Sequence, residues 1–77
     1  MDERLEKLKR GEVVQRVVTY QGQRVVEHFQ SNKEHTDTYD RYMMPTNRDK
    51  SQAIMHNYAL NILEVERLLN VDPKNVY

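Results

Sequence analysis

The feature that most constrains the fold is a valine-rich stretch, EVVQRVVTY-QG-QRVVEHFQ, at residues 12–30. β-Branched side chains prefer the pleated, half-buried surface of a strand. Gly22 lies at the centre of the stretch and takes a positive φ at no steric cost, so it marks a turn. The pattern therefore predicts an antiparallel β-hairpin, with strands at 12–20 and 23–30 and a two-residue loop, Gln21-Gly22, between them.

The register of this hairpin follows from the side chains that it pairs across the strands. A two-residue loop sets Val17 opposite Val26, so that valine faces valine. It also sets Arg16 opposite Glu27, which pairs opposite charges. A three-residue loop would set Val17 opposite Glu27 instead. The two-residue register is therefore the prediction.

Both faces of the predicted hairpin are apolar. The core face carries the larger side chains, namely Val14, Val18, Tyr20, Val25 and Phe29. The second face carries Val13, Val17 and Val26. A two-stranded ribbon that is apolar on both sides needs cover on both sides, which two helices of the same chain or a second subunit could supply. The three valines of the second face are predicted to take part in self-association as a homodimer.

A short helix is predicted at residues 2–10. Leu5 and Leu8 fall on one helical face together with Met1. Acidic residues open the segment and basic residues close it, as the helix dipole favours. Gly11 then supplies the left-handed residue that commonly follows the end of a helix.

Residues 31–49 leave two alternatives open, because the segment 36–44 is either a third strand that returns along the hairpin or an ordered loop. Tyrosine, arginine and methionine are enriched at protein interfaces. The segment is therefore predicted to bind a partner through Tyr39, Arg41, Tyr42 and Met43. If it is a strand, the side chains expected to face outward are Tyr39, Arg41 and Met43, with Tyr42 and Met44 facing inward.

A long amphipathic helix is predicted at residues 47–70. Thr46 and Asp49 have the spacing of a capping box, with a cap at Asp49 itself as the alternative. Apolar side chains then recur every three or four residues, at Ile54, Tyr58, Ile62, Val65 and Leu69. Leu60 and Leu68 lie two turns apart on the other flank of this helix, and they are predicted to form a second self-association patch.

Together these elements predict a single domain over residues 1–77 of the α+β class, in the order α-β-β-(β)-α, with a tail at 71–77. The sheet is an antiparallel hairpin or, if 36–44 is a strand, a three-stranded meander, and the long helix packs on one of its faces. A chain this short buries only about 60% of its unfolded surface. This also favours a second copy or another protein as a partner.

The sequence lacks the residue patterns of a catalytic or cofactor site. It contains no cysteine, which excludes a thiol nucleophile and a cysteine-based zinc site. Both glycines are used by a helix end and a turn, which leaves none for a phosphate-binding loop. His35, Asp37 and Asp40 could supply ligands to a cation, but their spacing matches no known metal loop. We therefore predict no enzymatic activity, no cofactor and no metal site.

The charge balance decides between the remaining function classes. The 12 basic residues equal the 12 acidic ones in number, whereas nucleic-acid binding draws its affinity from uncompensated positive charge. The predicted function is that of a small protein-binding regulator, adaptor or inhibitor that acts sterically on a larger protein. The alternative is a nucleic-acid-binding regulator that uses the hairpin together with Tyr39, Arg41 and Tyr42. The apolar runs are too short for a membrane span or a signal peptide, so a cytoplasmic location is expected.

Overall fold

Two helices and four strands are present in the computed structural model, which describes residues 2–45 and 52–76. In chain order they are α1 (Glu3–Lys9), β1 (Val14–Tyr20), β2 (Gln23–Ser31), β3 (Tyr39–Pro45), β4 (Met55–Leu60) and α2 (Ile62–Leu69). The strands form one antiparallel meander in the order β1-β2-β3-β4. The predicted α+β class is confirmed, but the sheet has a fourth strand and the C-terminal helix is short.

The predicted hairpin is confirmed, including its register. Tyr20 pairs with Gln23, Val17 with Val26, and Arg16 with Glu27 along β1 and β2. Both residues of the Gln21-Gly22 loop have positive φ angles, of 51° and 77°. This is the backbone that a two-residue loop needs if its twist is to match that of the strands it joins.

The segment 36–44 contains a strand, because β3 pairs with β2 over its whole length. The strand begins only at Tyr39, since the preceding residues form a closed loop. The side-chain oxygen of Asn32 accepts hydrogen bonds from the backbone N–H groups of Glu34 and His35. The backbone N–H of Asn32 donates to the carbonyl of Thr38, 3.0 Å away, which closes the loop at the base of the two strands.

The prediction of one helix over 47–70 is wrong, because β4 occupies Met55–Leu60 and α2 only Ile62–Leu69. Asn61 ends the strand and caps the helix, since its side chain accepts a hydrogen bond from the backbone N–H of Glu64. The spacing of the apolar residues fits a helix. In a strand, however, alternate residues share one side, which places His56 and Tyr58 together. The cap expected at Thr46 or Asp49 lies outside the described residues.

Both helices and the C-terminal tail pack on one face of the sheet, called here the inner face. One cluster of buried side chains joins Leu5 and Leu8 of α1 to Val65 and Leu69 of α2 across Val14, Phe29 and Tyr39. A second cluster packs Val76 of the tail on Val18, Val25 and Met43. The tail also pairs with the edge of β1, where the backbone N–H of Val76 donates to the carbonyl of Thr19.

The opposite side of the sheet is called here the open face. It carries alternate residues of each strand: Gln15, Val17 and Thr19 on β1, Arg24, Val26, His28 and Gln30 on β2, Asp40, Tyr42 and Met44 on β3, and His56 and Tyr58 on β4. Val13 extends this face just before β1 begins.

Candidate functional site on the open face of the sheet

A row of side chains crosses the open face through all four strands. Gln15, His28, Tyr42 and His56 occupy positions that pair directly, each with the next. The side-chain nitrogen Nε2 of Gln15 lies 2.8 Å from Nδ1 of His28. The rings of His28 and Tyr42 meet edge to face with centroids 6.0 Å apart. Hydrogen bonds and ring contacts therefore link the row from β1 to β4.

The imidazole of His56 is held between two tyrosine rings. Its centroid lies 3.8 Å from that of Tyr42, in a stacked arrangement, and 3.6 Å from that of Tyr58. Its Nε2 atom is shielded from solvent and has no hydrogen-bond partner among the described residues. Tyr58 itself is 69% exposed, so this end of the row is available to a binding partner.

Aliphatic side chains lie beside this row. Val17 on β1 is 56% exposed and Val13 is 49% exposed, while Val26 on β2 is half-buried. These are the three valines predicted to take part in self-association, and the structure places all of them on or at the margin of the open face. The face is not exposed throughout, because His28, Asp40 and Met44 are buried. The strands bring only two residues with a full charge to this face, Arg24 and Asp40.

A cleft of about 430 Å³ opens at one end of the face, between the loop after β2 and the end of β4. Its walls include the rings of Tyr42 and Tyr58, and the buried carboxylate of Asp40 lies among its lining groups. The Oδ1 atom of Asp40 accepts a hydrogen bond from the side chain of Asn32, at 2.9 Å. The same oxygen accepts a bond from the backbone N–H of Ala59, at 3.0 Å.

The hydrogen bond from Ala59 to Asp40 shapes this end of the site. Pairing of β3 with β4 shifts register between Tyr39 and Arg41, so that one strand has an extra residue there. Ala59 adopts a positive φ of 52° at this bulge. β-Bulges commonly re-aim side chains at binding sites, and here the bulge carries Tyr58 at the mouth of the cleft.

The tyrosine at the centre of the row has a perturbed acidity. Desolvation by burial, followed by the nearby charge of Asp40, raises the pKa of the Tyr42 phenol above its ordinary value of 10.0. The phenol of Tyr42 is therefore neutral at physiological pH. It offers the open face an uncharged hydroxyl group.

Charged groups concentrate instead on the inner face. Glu27 is fully buried and forms salt bridges with Arg16 and with Arg41. Arg16 also donates hydrogen bonds to the backbone carbonyls that end α2, at Leu68, Leu69 and Val71. Desolvation by burial lowers the pKa of Arg41, while the charge of Glu27 opposes this shift. The pairing of Arg16 with Glu27 was predicted from the sequence, whereas the salt bridge of Arg41 with Glu27 was not.

The orientation expected for β3 is wrong. Tyr39, Arg41 and Met43 lie on the inner face and are buried, whereas Tyr42 lies on the open face. The reason is the register with β2, because Phe29 on the inner face pairs with Arg41. Of the four residues predicted to bind a partner, Tyr42 is therefore the one that the structure places on the open face.

The second predicted self-association patch does not exist as a helix flank. Leu60 is the last residue of β4 and Leu68 belongs to α2. Both are half-buried and pack against the core cluster that joins the two helices. On α2 it is Leu63 that is exposed, to 66%.

His28, His56 and Tyr58 were not predicted from the sequence as members of one site. The signal that could have identified them was the alternation of Ile54, His56 and Tyr58, which has the period of a strand and also fits part of a helix.

Among residues 2–45 and 52–76, no group of three or more His, Asp or Glu side chains is placed to hold a metal ion. No helix in the same ranges is long and apolar enough to cross a membrane.

Comparison with known proteins gives no match to a family model, to a curated protein or to a solved structure. The function is therefore inferred from the residues of the chain itself.

Proposed function

We propose that the chain is a non-enzymatic protein-interaction module and that the open face is its contact surface. The observation that carries this proposal is the make-up of that face, which combines exposed Val17 and Tyr58 with a row of stacked and edge-to-face rings. Contiguous exposed apolar and aromatic side chains mark protein-binding surfaces, and charged residues are depleted at the centre of such surfaces.

The unpartnered nitrogen of His56 supports the same proposal. A buried polar atom without a hydrogen bond costs on the order of 1–3 kcal/mol. The Nε2 atom of His56 has no partner among the described residues, and it lies between two tyrosines at the edge of the open face. A hydroxyl, amide or backbone group of a bound protein would remove this cost if the exposed ring of Tyr58 moved aside and uncovered the nitrogen.

The proposed mode of action is steric. The module would cover a surface of a larger protein, as adaptors and inhibitors do, with Tyr42 and Tyr58 at the contact. Tyrosine suits this role because its ring buries a large apolar area while its hydroxyl forms a hydrogen bond. We place this activity in the cytoplasm, in line with a chain that has no cysteine.

Nucleic-acid binding is the weaker candidate. It would need arginines that are free to meet phosphates, but Arg16 and Arg41 are engaged with Glu27 on the inner face. Arg24 is the arginine that the strands bring to the open face. Aromatic rings alone provide stacking surfaces but little of the electrostatic attraction that single-stranded nucleic acids require.

Affinity capture from cells of the source organism tests the proposal with two matched variants. Val17→Lys places a charge on the open face, whereas Leu63→Lys places the same charge on the exposed side of α2. We expect Val17→Lys to lose the proteins that the wild type recovers and Leu63→Lys to retain them. Equal recovery by both variants would show that the open face is not the contact surface. Recovery of nucleic acid that declines steeply with added salt would support the alternative function.

A further inference from the structure

A small pocket lies between β4 and α2, on the inner side of the sheet. It has a volume of about 220 Å³, and its walls come from β3, β4 and α2, namely from Arg41, Asn57, Leu60, Glu64, Arg67 and Leu68. Strand β4 is the outermost strand at this side of the sheet. The pocket therefore opens at the edge of the sheet, away from the cleft on the open face.

Arg41 brings a buried positive charge to this pocket. It is 5% exposed, and its guanidinium donates hydrogen bonds to Oδ1 of Asn57 at 3.0 Å, to Oε2 of Glu27 at 3.2 Å and to Sδ of Met55 at 2.9 Å. A guanidinium has five N–H groups, and a thioether is a weak acceptor. Two N–H groups of Arg41 therefore have no acceptor among the described residues, and a third has a weak one.

The buried charges around Glu27 do not balance. Its carboxylate is shared by the guanidinium groups of Arg16 and Arg41, so this cluster has one positive charge in excess. Arg16 finds further acceptors at the carbonyls that end α2. Desolvation is the largest influence on the pKa of Arg41 and lowers it, although the charge of Glu27 opposes this shift. The described residues therefore compensate the burial of Arg41 only in part.

A second guanidinium stands at the mouth of the pocket. Arg67 is exposed on α2 and forms no ion pair within residues 2–45 and 52–76. Glu64 is the acidic residue of the pocket, and its Oε1 atom accepts a hydrogen bond from the side chain of Asn61, 2.9 Å away. Two positive groups and one negative group thus line a pocket with leucine walls. A carboxylate suits this pocket, because a guanidinium can bind it through two parallel hydrogen bonds.

The edge of β4 beside the pocket has backbone groups available for pairing. Successive residues of a strand point their N–H and C=O groups to opposite sides. On β1 the outward groups are those of Thr19, which bond to Pro73 and Val76 of the tail. Carried through the registers of the sheet, the alternation places the outward groups of β4 at His56 and Tyr58. No backbone group of the described residues bonds to them from outside the sheet.

The pocket and the free edge meet at Asn57. In an antiparallel strand added to β4, one residue would lie opposite Asn57, between the positions that hydrogen-bond to His56 and Tyr58. Directly opposite residues place their side chains on the same face of the sheet, which for Asn57 is the inner face. The amide oxygen of Asn57 already binds Arg41. An acidic side chain at this position of the added strand would therefore reach the guanidinium groups of the pocket.

The strand edges of this chain do not supply such an acid. The inner-face residues of the two outermost strands are neutral or basic, namely Met55, Asn57 and Leu60 on β4 and Val14, Arg16, Val18 and Tyr20 on β1. Pairing of two copies edge to edge would therefore leave the pocket without a carboxylate. The volume of the pocket is below the roughly 300 Å³ at which small-molecule sites begin, and it suits a single side chain.

We infer that the edge of β4 is a second binding site, which takes up an extended acidic segment of a partner protein as an antiparallel fifth strand. A Glu or Asp side chain of that segment lies opposite Asn57 and binds Arg41 and Arg67 in the pocket. The main-chain hydrogen bonds supply affinity, and the pocket selects the acidic residue. This site goes beyond the proposed function, which concerns the open face.

Selection from a library of random displayed dodecapeptides tests the inference on the purified chain. Peptides recovered by the wild type should share a motif with Glu or Asp between β-branched residues, which favour an extended strand. Arg67→Glu reverses a charge at the pocket and should no longer recover acidic peptides. Lys74→Glu makes the same charge change on the exposed tail and should recover the wild-type motif. Failure to recover any peptide, a motif without an acid, or equal recovery by both variants would overturn the inference.

Synthetic versions of a selected peptide test the strand pairing. Replacement of its acidic residue by Gln should weaken binding at least tenfold in Kd by titration calorimetry, because hydrogen bonds to a charged group are lost. N-methylation of the two residues that flank the acid should abolish binding, since their N–H groups face β4. N-methylation of the acidic residue itself should be tolerated, since its N–H group faces away. Equal effects of the two methylations would contradict strand addition.

Arg41 is followed by NMR rather than by substitution, because it belongs to the buried cluster. Its Nε–H resonance should shift when the acidic peptide binds and should not shift with the Gln peptide. Glutarate, a free acid without a peptide backbone, should bind at least tenfold more weakly than the peptide. Glutarate that binds as tightly would indicate a small-acid site, and a dimer of the chain that Arg67→Glu dissociates would assign the edge to a second copy. Either result would overturn the inference.

The test of this edge is independent of the test of the open face. Val17 lies on β1, at the opposite side of the sheet from β4. Val17→Lys should therefore bind the selected peptide with the Kd of the wild type, whether or not it loses the proteins captured by the open face. Loss of peptide binding in folded Val17→Lys would place the peptide on the open face and contradict the inference.

Discussion

The two faces of the sheet accommodate their polar groups in different ways. On the inner face, Glu27 is fully buried but binds two arginines, one of which also binds the carbonyls at the end of α2. On the open face, the next residue along β2, His28, belongs to a row of hydrogen bonds and ring contacts that ends at a ring nitrogen without a described partner. Among the described residues, the charged groups of the inner face are all paired, whereas the row on the open face ends at one ring nitrogen without a partner.

This difference separates structure from recognition. A buried charge is tolerated only when it is paired and hydrogen-bonded, so the inner cluster belongs to the stability of the fold. A surface of neutral hydrogen-bonding groups and exposed apolar side chains is inexpensive to desolvate. Another protein surface that covers Val17 and Tyr58 would therefore bury mainly uncharged groups, with Arg24 at the end of the face.

The largest expected effect is at Glu27, and it tests whether the inner face is the structural one. Glu27→Gln leaves Arg16 and Arg41 without their shared carboxylate, and breaking a buried ion pair costs about 3–5 kcal/mol. This is comparable to the whole stability of a small domain. Urea or thermal unfolding followed by circular dichroism should therefore show a severely destabilised or unfolded protein.

The matched control for Glu27→Gln is His28→Gln, one residue further along the same strand. Loss of a side-chain hydrogen bond costs about 1 kcal/mol, so His28→Gln should unfold cooperatively with a smaller loss than Glu27→Gln. If the two variants lose equal stability, the contrast between the faces does not hold.

A smaller effect of opposite sign is expected at Ala59, where the bulge shapes the open face. Its positive φ of 52° is strained for a residue with a Cβ atom, and glycine relieves this strain. Ala59→Gly should raise the free energy of unfolding by up to about 1 kcal/mol, part of the gain being offset by the greater freedom of glycine in the unfolded chain.

Ala53→Gly is the matched control for this substitution, because Ala53 lies just before β4 and is not among the residues with positive φ. It should lower the stability slightly, since only the entropic cost of glycine remains. A loss of stability in Ala59→Gly as large as that in Ala53→Gly would show that the bulge is unstrained.

The smallest effect concerns Tyr42 and its pH dependence. Burial raises the pKa of its phenol above 10.0 in the folded protein, so the folded state retains this proton at a pH where the unfolded state has lost it. The contribution to stability is complete below pH 10.0 and is lost as the pH rises through the folded pKa. Stability measured by urea unfolding should therefore decline in this alkaline range.

Tyr42→Phe should remove this part of the alkaline decline, and Tyr20→Phe, on the inner face, should retain it. Ultraviolet titration of the phenolates provides an independent reading, because one tyrosine of the wild type should ionise late and be missing from the Tyr42→Phe titration. A wild-type titration that lacks a late component would contradict the burial of Tyr42 on the open face.

Prediction from the sequence succeeded where neighbouring residues decide the structure. The register of β1 and β2 follows from a two-residue loop and from facing pairs, and the structure has the same pairs. The short N-terminal helix is present at Glu3–Lys9, with Asp2 as its cap. The three valines of the second hairpin face were located correctly, because alternation along a strand assigns a face once the register is known.

Prediction failed where distant residues compete for the same backbone. The apolar spacing between Ile54 and Leu69 fits a helix, but helix propensity is a weak preference that tertiary pairing overrides. Here β3 offers residues 55–60 an edge to pair with, and Asp40 binds the backbone N–H of Ala59. The candidate site was therefore only half visible, since its β1 and β2 residues were assigned to strands while His56 and Tyr58 were assigned to a helix.

Local sequence thus determined the hairpin, the first helix, the charge balance and the pairing of Arg16 with Glu27. The charge balance is a property of the composition. The other three features depend on contacts between residues that are near in the chain or are brought together by one tight turn. Tertiary structure alone decided that Arg41 joins Glu27 inside, that β4 is a strand, and that Tyr42, His56 and Tyr58 meet on one face. The physical reason is that strand pairing places side chains by the register between distant segments, and a shift of one residue moves every side chain to the other face.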